Sequence, residues 1–279
     1  MWEIKKIVSI KIVNTVSVDS IILKHSTRGM DVLAKLHSKE HIKEAIKAFR
    51  KLKVGKVFLY TGFWVAGAPE SDGPIGTYFL ARALKALGYE PAIVTDKFCE
   101  NLFKEIETLI VPIDKNVDFT KLLKEHAPVA HISIERCGKN RFGRYENSRK
   151  EDISKYTAPL DELFSLGENR FAIGDGGNEI GMGNYKEDIK RELGLEPCIV
   201  ECDYLMLSSV SNWGAYGFIA YLDKKLLPSF EEVDEYLEFL ISKGVVDGIS
   251  KRCEKSVDGK EWEIEREILE ELRGVKIKL

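Results

Sequence analysis

The sequence has neither a strong charge of one sign nor a long apolar run. Its 279 residues include 42 Lys and Arg and 45 Asp and Glu, a formal net charge of −3. This balance gives no basic field for nucleic acid. No uncharged apolar run approaches the ~20 residues that cross a bilayer, and charged residues interrupt the apolar N-terminus before a signal-peptide core is complete. We therefore predict a cytoplasmic protein without nucleic-acid or membrane partners.

The sequence has only five cysteines and no recognisable domain linker. Five cysteines are an odd number in a chain of this length, unlike a secreted disulfide scaffold. We predict that they are buried thiols that pack as small hydrophobic groups. No internal repeat, low-complexity stretch or linker rich in Pro, Gly or Ser interrupts the chain. A length of 279 residues is near the upper limit for one hydrophobic core and allows one large domain or two small ones. Because no domain boundary is visible, we predict a single domain over 1–279.

The sequence does contain a regular alternation of short apolar runs and amphipathic stretches. The apolar runs predict strands at 57–60, 92–95, 109–113, 129–134, 171–173 and 199–207. The amphipathic spacing predicts helices at 31–52, 73–87, 119–126, 160–166, 231–242 and 261–272, while the first 30 residues are ambiguous between helix and strand. This alternation is typical of a three-layer α/β fold. We expect a mostly parallel, Rossmann-like sheet with helices on both faces and helical additions at both ends.

Sheets of this kind bind ligands at the carboxyl ends of their strands. The densest loop there is Gly174–Gly183, which has five glycines in ten residues. Glycine lets backbone amides approach a ligand and adopt positive φ. The acids Asp175 and Glu179 are candidates for base and acid, provided that their environments separate their pKa values. The alternative is a glycine-rich turn with exposed acids.

The same loop does not match the common nucleotide motifs. Glu179 stands where the dinucleotide fingerprint needs glycine, and Met182-Gly183 stand where a phosphate loop needs Lys and Ser/Thr. The loop is therefore predicted to contact a small molecule through its backbone and Asn178. Its candidate substrate-binding residues are Gly176, Gly177 and Asn178.

A second cluster precedes the predicted helix at 73–87. Pro74 suits the first turn of a helix, and free amides at Gly73 suit a carboxylate or phosphate. Asp72 is a candidate substrate-binding residue, with helix capping as its alternative role. Glu70 has no such routine role, so it is a third candidate catalytic residue.

Two further loops carry candidate binding residues. Glu135 and Arg136 follow a predicted strand, and Arg136 is suited to grip a substrate carboxylate with two parallel hydrogen bonds. The alternative is an Arg–Glu pair that ties loops together. Asn212 can hydrogen-bond a ligand while Trp213 forms a wall, although a turn Asn beside a buried Trp explains the same residues.

The acids also form a candidate metal site, although nothing in the sequence requires a cofactor. Carboxylate oxygens are ligands that suit Mg²⁺ or Mn²⁺, and a divalent cation would offset the crowding of negative charge. The candidate ligands are Glu70, Asp72, Glu135, Asp175 and Glu179. A His-x-x-Glu-His pattern at 37–41 matches a zinc-hydrolase motif. The other histidines are scattered, so we interpret this pattern as a solvated helix face.

Five segments in order resemble one known family. They are Ser-Asp-Gly-Pro at 71–74, Ser-Ile-Glu-Arg at 133–136, Asp-Ile-Ser at 152–154, the ten-residue glycine loop at 174–183 and Ser-Asn-Trp-Gly at 211–214. Over about 31–259 the chain resembles the D-glutamate cyclase family, whose C-terminal-like domain was formerly a domain of unknown function. The resemblance implies a hydro-lyase that converts D-glutamate, an amino-acid substrate, to 5-oxo-D-proline and water. The alternative is a non-catalytic protein of the same fold that binds a small amino acid or carboxylate. A homo-oligomer is compatible with either.

Overall fold

A computed structural model describes residues 16–37, 40–113 and 116–277. Its central element is a six-stranded sheet in which all neighbouring strands are parallel. The strands in the described residues are β1 (Lys56–Tyr60), β2 (Trp64–Val65), β3 (Ala68–Pro69), β4 (Glu90–Thr95), β5 (Glu107–Ile110), β6 (Ala130–Ile134), β7 (Arg170–Gly174), β8 (Tyr204–Leu207), β9 (Ser256–Val257) and β10 (Lys260–Glu261).

The helices surround this sheet. They are α1 (Val18–Ile22), α2 (Met30–His37), α3 (His41–Phe49), α4 (Pro74–Ala86), α5 (Phe119–His126), α6 (Leu160–Leu166), α7 (Lys186–Asp188), α8 (Ser211–Asp223), α9 (Phe230–Ser242) and α10 (Trp262–Gly274), with a π-helical turn at Ile189–Leu193. In the part of the chain that the structure describes, no helix has the length and apolar character needed to cross a membrane.

The strand order creates a crevice at one point of the sheet edge. The order is β5-β4-β1-β6-β7-β8. The chain runs outward from β1 to β4 and β5, and then returns to the other side of β1 to form β6, β7 and β8. Connections leave β1 and β6 in opposite directions, so a crevice opens between their carboxyl ends, where parallel sheets bind ligands. The predicted α/β fold is confirmed.

The sheet separates two apolar cores. Along β1, Val57 and Leu59 pack against one core while Phe58 and Tyr60 pack against the other, as the two-residue period of a strand requires. The first core also receives side chains from α1, α3, α4, α8, α9 and α10. The second receives them from α2, α5 and α6. Both faces of the sheet are therefore covered, which explains the continuous apolar character of the strands.

The structure corrects the prediction of one helix at 31–52. The segment forms two helices, because α2 packs Met30 and Leu33 against the second core while α3 packs Ile42 and Ile46 against the first. A single straight helix cannot reach both faces of the sheet. The His-x-x-Glu-His pattern is thereby divided between helices, and its residues 38 and 39 lie outside the described residues. Of the ambiguous first 30 residues, 1–15 also lie outside them, and 18–22 form α1.

Two smaller predictions also change. The strand predicted at 199–207 begins only at Tyr204, because the Val200 carbonyl accepts hydrogen bonds from the amides of Gly181 and Gly183 in the glycine loop. Four of the five cysteines are buried free thiols, as predicted, whereas Cys253 is exposed.

The buried His131 predicts a pH dependence of stability. Its Nδ1 lies 2.6 Å from the Tyr60 hydroxyl oxygen, and burial, with a smaller contribution from Arg170, lowers its pKa to about 4. The unfolded chain binds a proton near the ordinary pKa of ~6.5. The stability that this neutral histidine contributes is therefore fully present above pH ~6.5 and is lost as the pH falls toward 4. We expect urea unfolding to show a loss of about 2–3 kcal/mol over that window.

The matched variant is His131→Asn, which keeps an acceptor near Tyr60. Its free energy of unfolding should be lower at pH 7 but should change less between pH 6.5 and 4 than that of the wild type. Equal pH slopes for the two proteins would contradict the assignment.

Candidate active site

Two helices begin side by side at the sheet edge and cap each other. Asp72, just before α4, accepts the amides of Ser211 and Asn212 in the first turn of α8, each at 2.8 Å. In return, the Asn212 side-chain oxygen accepts the amides of Gly73 at 3.0 Å and Gly76 at 2.7 Å. Since the first amides of a helix have no partner within it, these exchanges satisfy both helix ends at once.

This exchange corrects two predictions about the substrate. The amide of Gly73 is not free for a ligand, because Asp72 and Asn212 both accept from it. Asn212 serves as a cap and is fully buried, so the predicted hydrogen bond to a ligand is replaced by bonds within the protein. The segment that begins at Ser211 is a helix, and Trp213 is buried with its indole N–H donating to Glu265 at 2.5 Å.

A cluster of carboxylates lies beside these caps. Asp72, Glu135 and Asp175 each offer an oxygen within 4.8 Å of the others. Ser211, which the sequence did not single out, links them. Its amide donates to Asp175 at 3.1 Å as well as to Asp72, and its hydroxyl donates to Glu135 at 2.7 Å. Glu70 and Glu179 are buried nearby with exposures of 6% and 0%.

Burial and mutual repulsion raise the pKa values of Glu70, Asp72, Glu135 and Asp175. Burial is the main cause for Glu70, Glu135 and Asp175, whose pKa values rise well above the ordinary range. Neighbouring carboxylates add to the rise, whereas Arg28 opposes it. Burial and the charge of Asp258 raise the pKa of Asp72 to about 6, and hydrogen bonds from the amides of Asn212 and Ser211 limit the rise because they stabilise the charged form. The cluster therefore favours any ligand that brings positive charge.

Arg28, in the turn between α1 and α2, is the cation of this centre. Its guanidinium forms ion pairs with Asp175 and with Asp258, which lies in the turn between β9 and β10. Burial opposes its charge, but the two carboxylates hold its pKa above the ordinary value. Neither Arg28 nor Asp258 was predicted as a site residue. The Asp258-Gly259 pair that joins two short strands was a readable hairpin signal, but nothing nearby in the sequence pointed to Arg28.

A cleft opens over this centre. Its lining residues are Arg28, Phe63, Val65, Glu70, Glu135, Asn147, Ser148, Arg149, Asn178, Gly248, Ile249 and Asp258. Of the predicted site residues, it includes Glu70, Glu135 and Asn178. Asp72 and Asp175 lie behind this lining, next to Glu135.

The glycine loop folds around Glu179. One Glu179 oxygen accepts the amide of Gly177 at 2.7 Å, whereas the other has no hydrogen-bond partner among the described residues. A Cβ atom on Gly176 would lie 2.7 Å from that oxygen, so this position needs glycine. The predicted contact of the Gly177 amide with a substrate is replaced by its bond to Glu179.

Glu135 and Arg136 direct their side chains to different places. Glu135 has a φ of 47°, a strained conformation for a residue with a side chain, and its carboxylate lines the cleft. The Arg136 guanidinium is 1% exposed and donates to Asp96 at 2.7 Å and to the carbonyls of Gly62 at 2.6 Å and Ala158 at 2.8 Å. The prediction that Arg136 grips a substrate carboxylate is wrong in its geometry, because these groups occupy its terminal nitrogens.

The arrangement suits a divalent cation. Asp175 Oδ1 is buried and has no hydrogen-bond partner among the described residues, and it belongs to the triad with Asp72 and Glu135. Oxygen donors of this kind suit Mg²⁺ or Mn²⁺. The other two candidate ligands, Glu70 and Glu179, are outside this triad.

The contacts of Arg136 predict a role in stability. Arg136→Lys should lower the free energy of unfolding by about 2–4 kcal/mol, because lysine keeps the charge but cannot maintain three separate hydrogen bonds in a buried setting. Arg144→Lys is the matched control, since the Arg144 side chain is 59% exposed. Chemical denaturation of both variants measures the difference. If Arg136→Lys is as stable as the wild type, the guanidinium does not brace these loops.

The chain is similar to a protein of known sequence and to a protein of known structure. The mitochondrial D-glutamate cyclase of Homo sapiens is 29% identical, and the match covers 68% of this chain and 40% of the relative. The chain therefore spans about two fifths of that relative's length. RecJ of Thermus thermophilus, in complex with Mn²⁺, matches 73% of this chain and 24% of its own at 16% identity. Its TM-score of 0.34 is too low to indicate a shared fold.

A family model extends over nearly all of the elements described above. The model for D-glutamate cyclase-like proteins, C-terminal, matches residues 18–273. That range includes Arg28, the acidic cluster and Asp258. The chain therefore belongs to the D-glutamate cyclase-like, C-terminal family.

Proposed function

We propose that this protein is a hydro-lyase that converts D-glutamate to 5-oxo-D-proline and water. The observation that carries the proposal is the buried group of carboxylates around Arg28, open to a small cleft, in a chain of this family. Titratable groups with raised pKa values in a cleft are typical of catalytic sites. The name of the human relative provides the substrate.

The reaction joins two ends of one molecule. The α-amino nitrogen forms a bond to the γ-carboxyl carbon, and one γ-carboxyl oxygen leaves as water. Two protons of the ammonium group end on that oxygen, so the reaction needs groups that accept and return protons. Glu70, Asp175 and Glu179 are the proposed proton-transfer residues. Because the reaction is intramolecular, holding the substrate folded in the cleft lowers the barrier further.

A carboxylate is a poor electrophile, so the negative charge that develops on it must be neutralised. We assign the neutralisation of this charge to Arg28 and not to Arg136. Arg28 lines the cleft, and its side chain is 24% exposed. Glu135 and Asn178 line the same cleft and contribute to orientation of the substrate.

A divalent cation fits the same proposal. Asp72, Glu135 and Asp175 would hold Mg²⁺ or Mn²⁺, and the bound cation would supply a Lewis acid for the γ-carboxyl group. Without such an ion, protonation is the other way to relieve repulsion among the carboxylates. A cytoplasmic location and a homo-oligomer remain predictions, and the name of the human relative places that protein in mitochondria.

The test is incubation of the purified protein with D-glutamate, with and without Mn²⁺, followed by detection of the lactam by NMR. We expect 5-oxo-D-proline to accumulate. Asp175→Asn and Glu179→Gln should each reduce turnover by about 10²-fold or more, because proton-transfer groups contribute on that scale. Circular dichroism verifies that both variants remain folded.

Glu263→Gln is the control for these variants, because its side chain is 76% exposed at the protein surface. It should keep the wild-type rate. If D-glutamate binds but no lactam appears over hours, the non-catalytic binding protein becomes the better account. Near-normal rates in both acid variants would show that these acids are structural.

The metal site is tested by binding alone. Titration with Mn²⁺, followed by calorimetry or by the loss of the free-ion EPR signal, should show one site per chain. Asp175→Asn should weaken this binding by about tenfold or more, since it replaces one of three carboxylates by a neutral amide. Glu263→Gln should leave it unchanged. Equal Mn²⁺ affinities in the wild type and Asp175→Asn would exclude the triad as the site.

A further inference from the structure

We propose that Glu70 and Asp258 form the subsite that binds the amino group of the substrate. This inference deepens the proposed function and rests on it. Asp258 was not among the residues predicted from the sequence, and the subsite lies apart from the triad of Asp72, Glu135 and Asp175.

The two carboxylates face one small space over Gly248. A Cβ atom built on Gly248 would lie 2.3 Å from Glu70 Oε2 and 3.4 Å from Asp258 Oδ1. The absence of a side chain at Gly248 therefore allows the Glu70 carboxylate to lie against its backbone, close to Asp258. All three residues line the cleft, so this space is open to a ligand that enters it.

Glu70 is a buried carboxyl group without a partner. Its exposure is 6%, and none of the described residues forms a hydrogen bond or an ion pair with its carboxylate. Buried polar groups are nearly always hydrogen-bonded, so an exception calls for an explanation. A donor supplied by a ligand explains it, because the carboxylate borders the cleft rather than the interior of the core.

The backbone around Glu70 is firmly held, so the open carboxylate is not due to a loose loop. The amide of Glu70 donates to the Phe63 carbonyl at 3.0 Å, and the amide of Ser71 donates to the Val246 carbonyl at 2.9 Å. The bond to Val246 connects the Glu70 segment to the segment that precedes Gly248. The carboxylate is therefore presented to the cleft by a fixed backbone.

Asp247 holds the other half of the subsite. One of its oxygens accepts the amides of Ile249 at 2.8 Å and Ser250 at 2.7 Å. The other accepts the Gly259 amide at 2.8 Å and the Ser256 hydroxyl at 2.9 Å. Asp247 thus joins the loop of Gly248 to the hairpin turn that carries Asp258, which sets the spacing of the two carboxylates.

The charge balance favours an ammonium group over a second metal ion. The pair offers two carboxylates, and Asp258 already shares its second oxygen, Oδ2, with Arg28. A dication would have only two acidic ligands here, one fewer than in the triad of Asp72, Glu135 and Asp175. An ammonium group has one charge and three donors. It can satisfy Glu70 and Asp258 Oδ1 together.

The neighbouring walls define the class of substrate. Phe63 and Val65 line the same cleft and suit methylene groups, and Arg28 and Arg149 also line it and suit carboxylates. The subsite therefore predicts a preference for amino dicarboxylates with a free amine. An N-acylated dicarboxylate would leave both acids without a cation.

The test compares two pairs of ligands, and the members of each pair differ only in the amino group. Calorimetry on the full chain measures D-glutamate against glutarate, and D-aspartate against succinate as a pair that cannot form the five-membered lactam. The wild type should bind each amino compound about tenfold or more tightly than its partner, as expected for a charge-assisted contact. Glu70→Gln should remove most of that preference while glutarate binds equally well or better. Glu263→Gln, at the protein surface, should retain it.

The outcomes separate this inference from the proposed function. If the wild type forms lactam but Glu70→Gln keeps the full amine preference, the subsite is wrong and the function stands. If D-glutamate is neither bound nor converted, the function falls, and the D-aspartate and succinate pair still decides the subsite. Equal binding of that pair by the wild type overturns it. Two Mn²⁺ sites, one of them lost in Glu70→Gln, would make the pair a metal site and also overturn it.

If Glu70→Gln does not fold, Asp258→Asn provides the second variant. It should reduce the amine preference by several-fold, because Glu70 remains in place. Full preference in a folded Asp258→Asn protein would contradict a shared subsite.

Discussion

The reciprocal capping of α4 and α8 is the contact from which the rest of the site follows. Each helix starts at the sheet edge with unpaired amides, and each is capped by a side chain that belongs to the start of the other. Asp72 and Ser211 are fixed by this exchange, and Ser211 in turn contacts Glu135 and Asp175. The bonds that complete two helices therefore also place three acids of the centre.

The centre itself opposes stability. Five acids with exposures of 6% or less surround one arginine, and uncompensated buried charge is costly. The raised pKa values of Glu70, Glu135 and Asp175 are the physical expression of that cost. A fold tolerates such a conflict where it serves binding or catalysis. The rest of the chain is conventional, with two apolar cores and strands buried on both faces.

Sequence periodicity was sufficient for the sheet but not for side-chain direction. The helices at 119–126 and 160–166 and the strands at β1, β4, β6 and β7 are close to their predicted ranges, since local apolar spacing decides them. Arg136 was placed correctly at the end of a strand, yet the positive φ of Glu135 and the partner Asp96 decide where it points. Arg28 and Asp258 are 230 residues apart. Local patterns contain no information about such a pair.

The sequence positions of Arg28 and its two partners also determine the order in which these ion pairs can form during synthesis. Arg28 precedes every strand of the sheet, whereas Asp258 follows all six of its strands. During synthesis from the N-terminus, the sheet and the acids at its edge emerge before Asp258. One of the two ion pairs of Arg28 is therefore still missing at that stage. The acidic cleft therefore takes its final electrostatic form only when the hairpin of β9 and β10 has left the ribosome and docked. The ion-pair arrangement of the centre is thus completed in the growing chain only after the central sheet is already complete.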